Sequence, residues 1–105
     1  MTTIRIHLPS GDLASRRLAI VERHKIETYL RDGVKVEVDL KEVESISESY
    51  SDELFGVLVA KHGISNVLNY LKIDNASTSA LRSIATVMQR RKNEHYPFQG
   101  VKAAC

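Results

Sequence analysis

Hydroxyl and carboxyl side chains are concentrated in one short stretch of the chain, Glu44–Glu53. Ser47 and Ser49 are suited to cap a helix by accepting hydrogen bonds from its free backbone N–H groups, and Ser49 with Asp52 has capping-box spacing, with Asp in place of Glu. Asp52 and Glu53 are also a candidate carboxylate pair for acid–base catalysis. Adjacent helical side chains diverge by about 100°, so these carboxyl groups do not converge on one atom. We interpret them as an acidic surface suited to a protein partner, and we predict no catalytic residue.

Asp39 is a second candidate for a functional contact. A strand is predicted at residues 34–40 from apolar residues that alternate with polar ones. Ligands and partners of α/β sheets bind beyond the carboxyl ends of the strands. Asp39 and Ser47 are therefore candidates for a contact with a partner or a small ligand at this edge. The alternative is that the Asp39 carboxylate only accepts hydrogen bonds within the turn after the strand.

Metal and nucleotide sites are not indicated by the sequence. Cys105 is the only cysteine, and no two histidines have the i, i+4 spacing of a helical zinc site. The histidines are His7, His24, His62 and His95. The sequence contains neither G-x-G-x-x-G nor a P-loop. We therefore expect no metal and no cofactor.

Basic residues are concentrated near the end of the third predicted helix. They are Arg82, Arg90, Arg91, Lys92 and Lys102. The simpler interpretation is a solvated helix end, where positive charge suits the helix dipole. The alternative is a contact with the phosphate backbone of a nucleic acid.

The size and charge of the chain narrow the class of protein. Its 105 residues suit one domain, predicted at residues 1–96, with a flexible tail at residues 97–105. The net charge of +2, from 15 basic and 13 acidic residues, is too even to indicate a nucleic-acid or membrane partner by itself. A single cysteine fits a reducing compartment, and no apolar run approaches the roughly 18 residues of a membrane helix. We expect a cytoplasmic protein.

Hydrophobic periodicity predicts strands and helices that alternate along the chain. The predicted strands are residues 3–8, 34–40 and 70–74. The predicted helices are residues 13–31, 49–62 and about 80–92, with a connector at residues 64–69. Residues 9–12 are predicted to form a turn and residues 44–49 a loop. Gly33 and Gly63 are predicted to end the first and second helices. This β-α-β-α-β-α order is typical of a small α/β sandwich with a mixed or mostly parallel sheet of three to four strands.

The same periodicity predicts which helix faces are buried. In the first helix the predicted buried set is Ala14, Leu18, Val21, Ile26, Tyr29 and Leu30. Arg17, Glu27 and Asp32 are predicted to point away from the core. In the third helix the predicted buried set is Leu81, Ile84, Ala85 and Met88.

The stretch Val43–Phe55 reads V-E-S-I-S-E-S-Y-S-D-E-L-F. It resembles the V-x-x-I-S-x-S-x-x-D-E-L-F type motif of the STAS-like domain family of unknown function, which is related to the STAS domains of bacterial anti-sigma-factor antagonists. The resemblance extends over about residues 4–93. Ser15–Arg16 and Ile73–Asn75 also match positions of this family.

The resemblance implies a function for Ser49. STAS antagonists carry a serine or threonine at the start of the helix after this loop, and a partner kinase of the histidine-kinase-like ATPase fold phosphorylates it. That position is Ser49 in this chain. Ser47 stands where many antagonists have an acidic residue, and Tyr50 stands where a glycine often follows.

Electrostatics at Ser49 allow two interpretations. The N-terminus of a helix favours an anionic phosphate. Glu48, Asp52 and Glu53, in contrast, lie close in sequence and would repel the charge of about −1.5 to −2 that phosphorylation adds. The alternative to a phosphoryl switch is that Ser47 and Ser49 only cap the helix.

We therefore predict a STAS-like domain that acts as a non-catalytic regulatory interaction module and presents Glu44–Glu53 to a protein partner. By resemblance, that partner is a histidine-kinase-like ATPase. The predicted partner-binding residues are Asp39, Ser47, Ser49, Asp52 and Glu53. A homodimer through an exposed edge strand is also compatible with so small a sheet. The alternatives are a nucleic-acid-associated regulator that uses the basic end of the third helix, and a small-molecule binder at the carboxyl edge of the sheet.

Overall fold

Strands and helices alternate in the computed structural model, which describes residues 2–94. The strands are β1 (Thr3–His7), β2 (Gly11–Leu13), β3 (Lys35–Asp39), β4 (Val43–Ile46) and β5 (Leu71–Asp74). The α-helices are α1 (Arg16–Arg31), α2 (Glu48–Ser51), α3 (Val57–His62), α4 (Ile64–Tyr70) and α5 (Thr78–Arg91). A π-helical segment, Asp52–Gly56, joins α2 and α3 into one helix, which we call helix 48–62. A short 3-10 turn, Lys92–Glu94, follows α5. The predicted small α/β fold is confirmed.

The main sheet is parallel, with three strands in the order β1–β3–β5. Its apolar residues are in register: Ile4 pairs with Val36, and Val38 pairs with Ile6 on one side and with Ile73 on the other. Side chains alternate between the two faces of a strand, so this register gathers these residues on one face. They belong to the hydrophobic core or pack against it.

The opposite face of the sheet is charged. Arg5, on the edge strand β1, forms ion pairs with Glu37 at 3.1 Å, with Asp39 at 3.0 Å and with Asp74 at 2.8 Å. These charges satisfy one another across all three strands. Within residues 2–94, β1 and β5 are the edges of the sheet.

A second, two-stranded parallel ladder pairs β2 with β4. Two backbone hydrogen bonds connect this ladder to the β1–β3 pair. The Leu8 N–H donates to the Asp39 carbonyl at 3.0 Å, and the Gly11 N–H donates to the Glu42 carbonyl at 3.0 Å. The sequence predicted a turn around Gly11 and a loop over residues 44–49, and both predictions are wrong in part. The loop is shorter because residues 43–46 pair as β4.

Helix 48–62 is the central helix of the fold and lies between α1 and α5. Its side chains Tyr50, Leu54, Phe55, Leu58 and Val59 are fully buried. Within its π-helical segment the Val57 N–H donates to the Asp52 carbonyl, five residues back. Gly63, with φ of +87°, ends the helix, as the sequence predicted.

The buried face of α1 differs from the predicted one. The helix begins at Arg16 instead of residue 13, because β2 takes residues 11–13 and Ser15 caps the helix. Its buried residues are Ala19, Glu22, Arg23, Ile26 and Glu27. Leu18 is 55 % exposed and Val21 is 48 % exposed, whereas Glu27, predicted to point outward, is 1 % exposed. The helix is rotated because its charged residues pair with those of helix 48–62.

Two further predictions about helices are corrected. Residues 64–69 were predicted to be a connector, but they form most of α4, which buries Val67. In α5 the buried residues are Ala80, Ile84, Val87 and Met88, so Leu81 and Ala85 are exposed, contrary to the prediction. The rotation of α5 turns Ser83 and Arg91 toward helix 48–62, where they bond Ser51 and Asp52.

Several predicted features lie outside the described residues, namely the tail at 97–105, His95, Lys102 and Cys105. Over residues 2–94 no helix is both long enough and apolar enough to cross a membrane. No group of three or more His, Cys, Asp or Glu side chains in that range is placed to hold a metal ion. The buried apolar side chains there belong to a single core.

Candidate functional site

Ser47, and not Ser49, caps helix 48–62. The Ser47 backbone is extended, and its Oγ accepts a hydrogen bond from the Tyr50 N–H at 3.0 Å. The predicted capping box of Ser49 and Asp52 is therefore wrong, because Ser49 already lies in the first helical turn. Within residues 2–94 the Ser49 hydroxyl has no hydrogen-bond partner. It is available for chemistry or for a contact from outside the domain.

Ser49 lines a small, open cavity of about 140 Å³. The other residues that line it are Arg16, Glu48, Asp52 and Arg90. Arg16 comes from the first turn of α1, and Arg90 comes from the last turn of α5. Two guanidinium groups from distant parts of the sequence thus lie around the one serine hydroxyl. We call Arg16, Glu48, Ser49 and Arg90 the Ser49 surface.

Asp52 is held by α5. Its carboxylate accepts two hydrogen bonds from Arg91, from Nε at 3.0 Å and from Nη2 at 2.7 Å. These bonds from Arg91 lower the pKa of Asp52 below its usual value. Gly56 leaves room for the pair, because a Cβ at position 56 would overlap the Asp52 carboxylate and come within 3.1 Å of Arg91 Cγ.

Glu53 points the other way, toward α1. Its Oε2 accepts a hydrogen bond from Arg23 Nη1 at 2.7 Å, and its Oε1 accepts one from Arg16 Nη1 at 3.3 Å. Arg23 Nη1 also donates to the Glu53 backbone carbonyl at 2.6 Å. The two adjacent carboxylates, Asp52 and Glu53, therefore connect helix 48–62 to α5 and α1 respectively. They do not converge, in agreement with the argument against paired catalysis.

The acidic surroundings of Ser49 are neutralised by arginines. Glu48, the acidic residue directly before Ser49, forms an ion pair with Arg90, in which Glu48 Oε2 lies 2.7 Å from Arg90 Nη2. The sequence suggested that Glu48, Asp52 and Glu53 would repel a phosphate at Ser49. In the fold each of these carboxylates faces an arginine from another helix, which offsets much of that repulsion.

Asp39 lies at a different place in the fold and is bonded on all sides. Its carboxylate accepts hydrogen bonds from the Lys41 N–H at 2.9 Å and from Asn75 Nδ2 at 3.0 Å. Arg5 and His7 lie 3.0 Å and 3.2 Å away. The Asn75 hydrogen bond is the largest cause of a pKa for Asp39 below its usual value. This geometry suits the turn-stabilising role that the sequence left open, and neither Asp39 nor Ser47 lines the cavity at Ser49.

The basic end of α5 is largely paired within the domain. Arg90 pairs with Glu48, and Arg91 pairs with Asp52 and, at 3.1 Å, with Glu94. A phosphate backbone would have to displace these carboxylates. The geometry therefore weakens the nucleic-acid alternative.

The sequence motif and the fold agree with a known family. A family model described as a STAS-like domain of unknown function (DUF4325) matches residues 22–80, more than half of the chain. The chain belongs to this STAS-like family. No curated protein and no solved structure matches it significantly. Arg16 and Arg90 lie outside the matched residues.

A buried charged cluster underlies the site in this STAS-like domain. Glu27 Oε2 lies 2.9 Å from Lys61 Nζ and 2.9 Å from His62 Nε2, and Glu27 Oε1 lies 3.9 Å from Arg23 Nε. Burial alone would raise the pKa of Glu27, but the hydrogen bonds from His62 and Lys61 together lower it by more, so the net shift of the pKa is downward. Arg23 also bonds Glu53, and the cluster therefore runs from the start of helix 48–62 to its end.

Sequence reasoning missed the arginines that shape the STAS-like domain's site. Arg16, Arg23 and Arg90 had no predicted role at Ser49. One signal was available, because Arg23 and Glu27 have the i, i+4 spacing of a helical ion pair. Nothing in the sequence indicated that this pair faces inward.

Proposed function

We propose that this STAS-like domain is a non-catalytic regulatory module whose Ser49 surface is recognised by a protein partner and is switched by phosphorylation of Ser49. By family resemblance, the kinase is a partner of the histidine-kinase-like ATPase fold. One observation carries the proposal: the Ser49 hydroxyl is without a hydrogen-bond partner in the described structure, and Ser49 lines the same cavity as Arg16 and Arg90.

The surroundings of Ser49 support a phosphoryl group there. A phosphate adds about −1.5 to −2 charge and three strong acceptor oxygens, which bind best to guanidinium groups. Arg16 and Arg90 are each paired with an exposed or partly exposed carboxylate, and such pairs contribute only about 0–1 kcal/mol. A phosphate at Ser49 can therefore recruit either arginine at little energetic cost. The change in surface charge is then read by the partner.

The test is affinity purification of the protein from its native cells, followed by mass spectrometry. Wild type is compared with Ser49→Ala and Ser49→Asp, and with Ser65→Ala as a control. Ser65 is a good control because it is another serine in the first turn of a helix and its side chain is exposed. We expect phosphate on Ser49, an ATPase or kinase retained by wild type and Ser65→Ala, and altered retention by Ser49→Asp.

Stability measurements separate the roles of the two serines. Ser47→Ala removes the cap and is expected to lower the free energy of unfolding by about 1 kcal/mol. Ser49→Ala is expected to change it by less than about 0.5 kcal/mol, because no hydrogen bond is lost. If partner retention is the same for all forms and Ser49 is never modified, the switch is refuted. If, in addition, no protein is retained, the interaction module itself is refuted.

A further inference from the structure

A groove lies next to the Ser49 surface, between α5 and the start of helix 48–62. Its volume is about 290 Å³. The residues that line it are Glu48, Ser79, Arg82, Ser83, Thr86 and Arg90. We call it the α5 groove. It shares Glu48 and Arg90 with the cavity at Ser49, so a molecule in the groove also contacts the Ser49 surface.

The groove presents positive charge and hydroxyl donors. Arg82 is exposed and forms no ion pair with any residue from 2 to 94. Among residues 2–94, Arg90 bonds only Glu48, and both side chains of that pair are at least half exposed, so an incoming carboxylate can replace Glu48. Ser79 lies about one turn before Arg82 on the same face of α5, and Thr86 lies about one turn from each arginine, so both add hydroxyl donors.

We propose that the α5 groove binds an acidic segment of the partner protein, with one carboxylate on Arg82 and a second on Arg90. This proposal rests on the proposed function, since it names the chemistry of the partner that the Ser49 surface serves. Guanidinium groups bind carboxylates through paired N–H donors, and two of them along one helix face fix the position of an extended acidic segment.

The same geometry couples the groove to Ser49. A phosphate on Ser49 lies beside Arg90, which it recruits, and it adds negative charge at the end of the groove. Binding of an acidic segment is therefore strongest when Ser49 is unmodified. Phosphorylation then releases the partner by competition and by repulsion.

A protein segment fits this groove better than a nucleic acid. Among the residues that line the groove, only Arg82 and Arg90 are cations that could contact phosphates. A nucleic acid needs a longer track of cations, because its affinity comes from many phosphate contacts.

The experiment uses the whole chain labelled with ¹⁵N and a synthetic 12-residue peptide of alternating Glu and Ser. NMR chemical-shift changes locate the peptide, and fluorescence anisotropy of a labelled copy gives Kd. A peptide with Gln in place of Glu is the neutral control. We expect shifts at the backbone amides of residues 79–90, and no saturable binding of the neutral peptide.

Variants identify the anchors. Arg82→Ala is expected to weaken acidic-peptide binding about tenfold, the loss of one charged hydrogen-bonded contact, and Arg82→Glu is expected to weaken it further. Arg17→Ala is the matched control, because Arg17 is an exposed arginine on α1 that lies outside the groove. Its Kd is expected to stay within about twofold of wild type. Ser49→Asp is expected to weaken binding, and Ser49→Ala is not.

Several outcomes overturn the groove proposal. These are no binding of the acidic peptide up to millimolar concentration, equal weakening by Arg17→Ala and Arg82→Ala, or tighter binding of a single-stranded oligonucleotide that Arg82→Ala abolishes. The last outcome would show that the groove binds a nucleic acid instead of a protein segment. If native partner retention depends on Ser49 but survives Arg82→Glu, the groove proposal fails while the proposed function stands. If the peptide binds at the groove but Ser49 is never phosphorylated, the switch fails while the groove stands.

Discussion

Gly56 gives the sharpest test of how the first turns of helix 48–62 are held. Glycine in the middle of a helix is normally replaced by alanine with a gain of about 1 kcal/mol. At this position a Cβ would overlap the Asp52 carboxylate, which bonds Arg91 through two hydrogen bonds. We therefore predict that Gly56→Ala destabilises the protein instead of stabilising it.

The magnitude follows from the contacts that the methyl group displaces. The Asp52 carboxylate is the mobile end of a side chain, so it can move, but only by leaving Arg91. Hydrogen bonds to charged groups contribute about 1.5–3 kcal/mol, and this pair is mostly buried, with side chains 16 % and 29 % exposed. After the helix-propensity gain is subtracted, the expected net loss is about 0.5–2 kcal/mol, or about 2–10 °C in Tm.

A double-mutant cycle isolates the cause. Urea unfolding followed by circular dichroism gives the free energy of unfolding of wild type, Gly56→Ala, Asp52→Ala and the double variant. With Asp52 already removed, the overlap with its carboxylate is gone, and the remaining 3.1 Å approach is to Arg91 Cγ, on a long side chain that is no longer held by Asp52. Gly56→Ala is then expected to stabilise by up to about 1 kcal/mol. The coupling energy between the two positions is then about 2 kcal/mol, the size found for side chains in contact. The reasoning is refuted if Gly56→Ala stabilises the wild type, or if the two changes are additive.

Two other predictions concern buried polar groups. The Tyr50 hydroxyl is buried without a hydrogen-bond partner among residues 2–94, so Tyr50→Phe is expected to stabilise by about 1 kcal/mol at pH 7 in urea unfolding. Burial, with Glu22 nearby, raises the pKa of Tyr50 to about 12. The wild-type protein therefore loses stability from about pH 10 upward, whereas the Tyr50→Phe variant does not. If Tyr50→Phe instead destabilises the protein at pH 7, the hydroxyl has a hydrogen-bond partner. The lowered pKa of Glu27 means that its contribution is present above the usual value of 4.5 and is lost as pH falls through the folded pKa. Glu27→Gln is expected to destabilise by about 2 kcal/mol at pH 7 and by less at pH 3, and an equal loss at both pH values would argue against the ion pair.

The strands of the main sheet and the ends of the first two helices could be predicted from the sequence because they depend on local patterns. Alternation placed β1, β3 and β5 within about one residue of their observed ends. Gly33, with φ of +72°, ends α1 as its sequence position indicated. β2 and β4 were missed because their pairing depends on a partner strand some 30 residues away, and three- and four-residue strands carry little periodic signal.

The buried faces of the helices were harder to predict, because a prediction from the spacing of apolar residues assumes that charged side chains face solvent. In α1 the charged residues Arg23 and Glu27 face inward because helix 48–62 supplies their partners, Glu53, Lys61 and His62. Leu18 is exposed as a consequence. The same limit applies to the site: Ser49 was found from its motif, whereas the arginines around it were brought there by long-range packing.

The central position of β3 has a consequence for synthesis of the chain. The ribosome completes β1, α1 and β3 first, whereas β5, which covers the other edge of β3, ends about 35 residues later, a delay of roughly 2–7 s at typical translation rates. During that time one edge of β3 is open to other nascent chains. The other edge of β3 is already covered by β1, so two unfinished copies that meet through β3 use this same open edge and pair antiparallel. The order of synthesis therefore makes the interval before β5 arrives the period in which copies of this protein are open to association through β3.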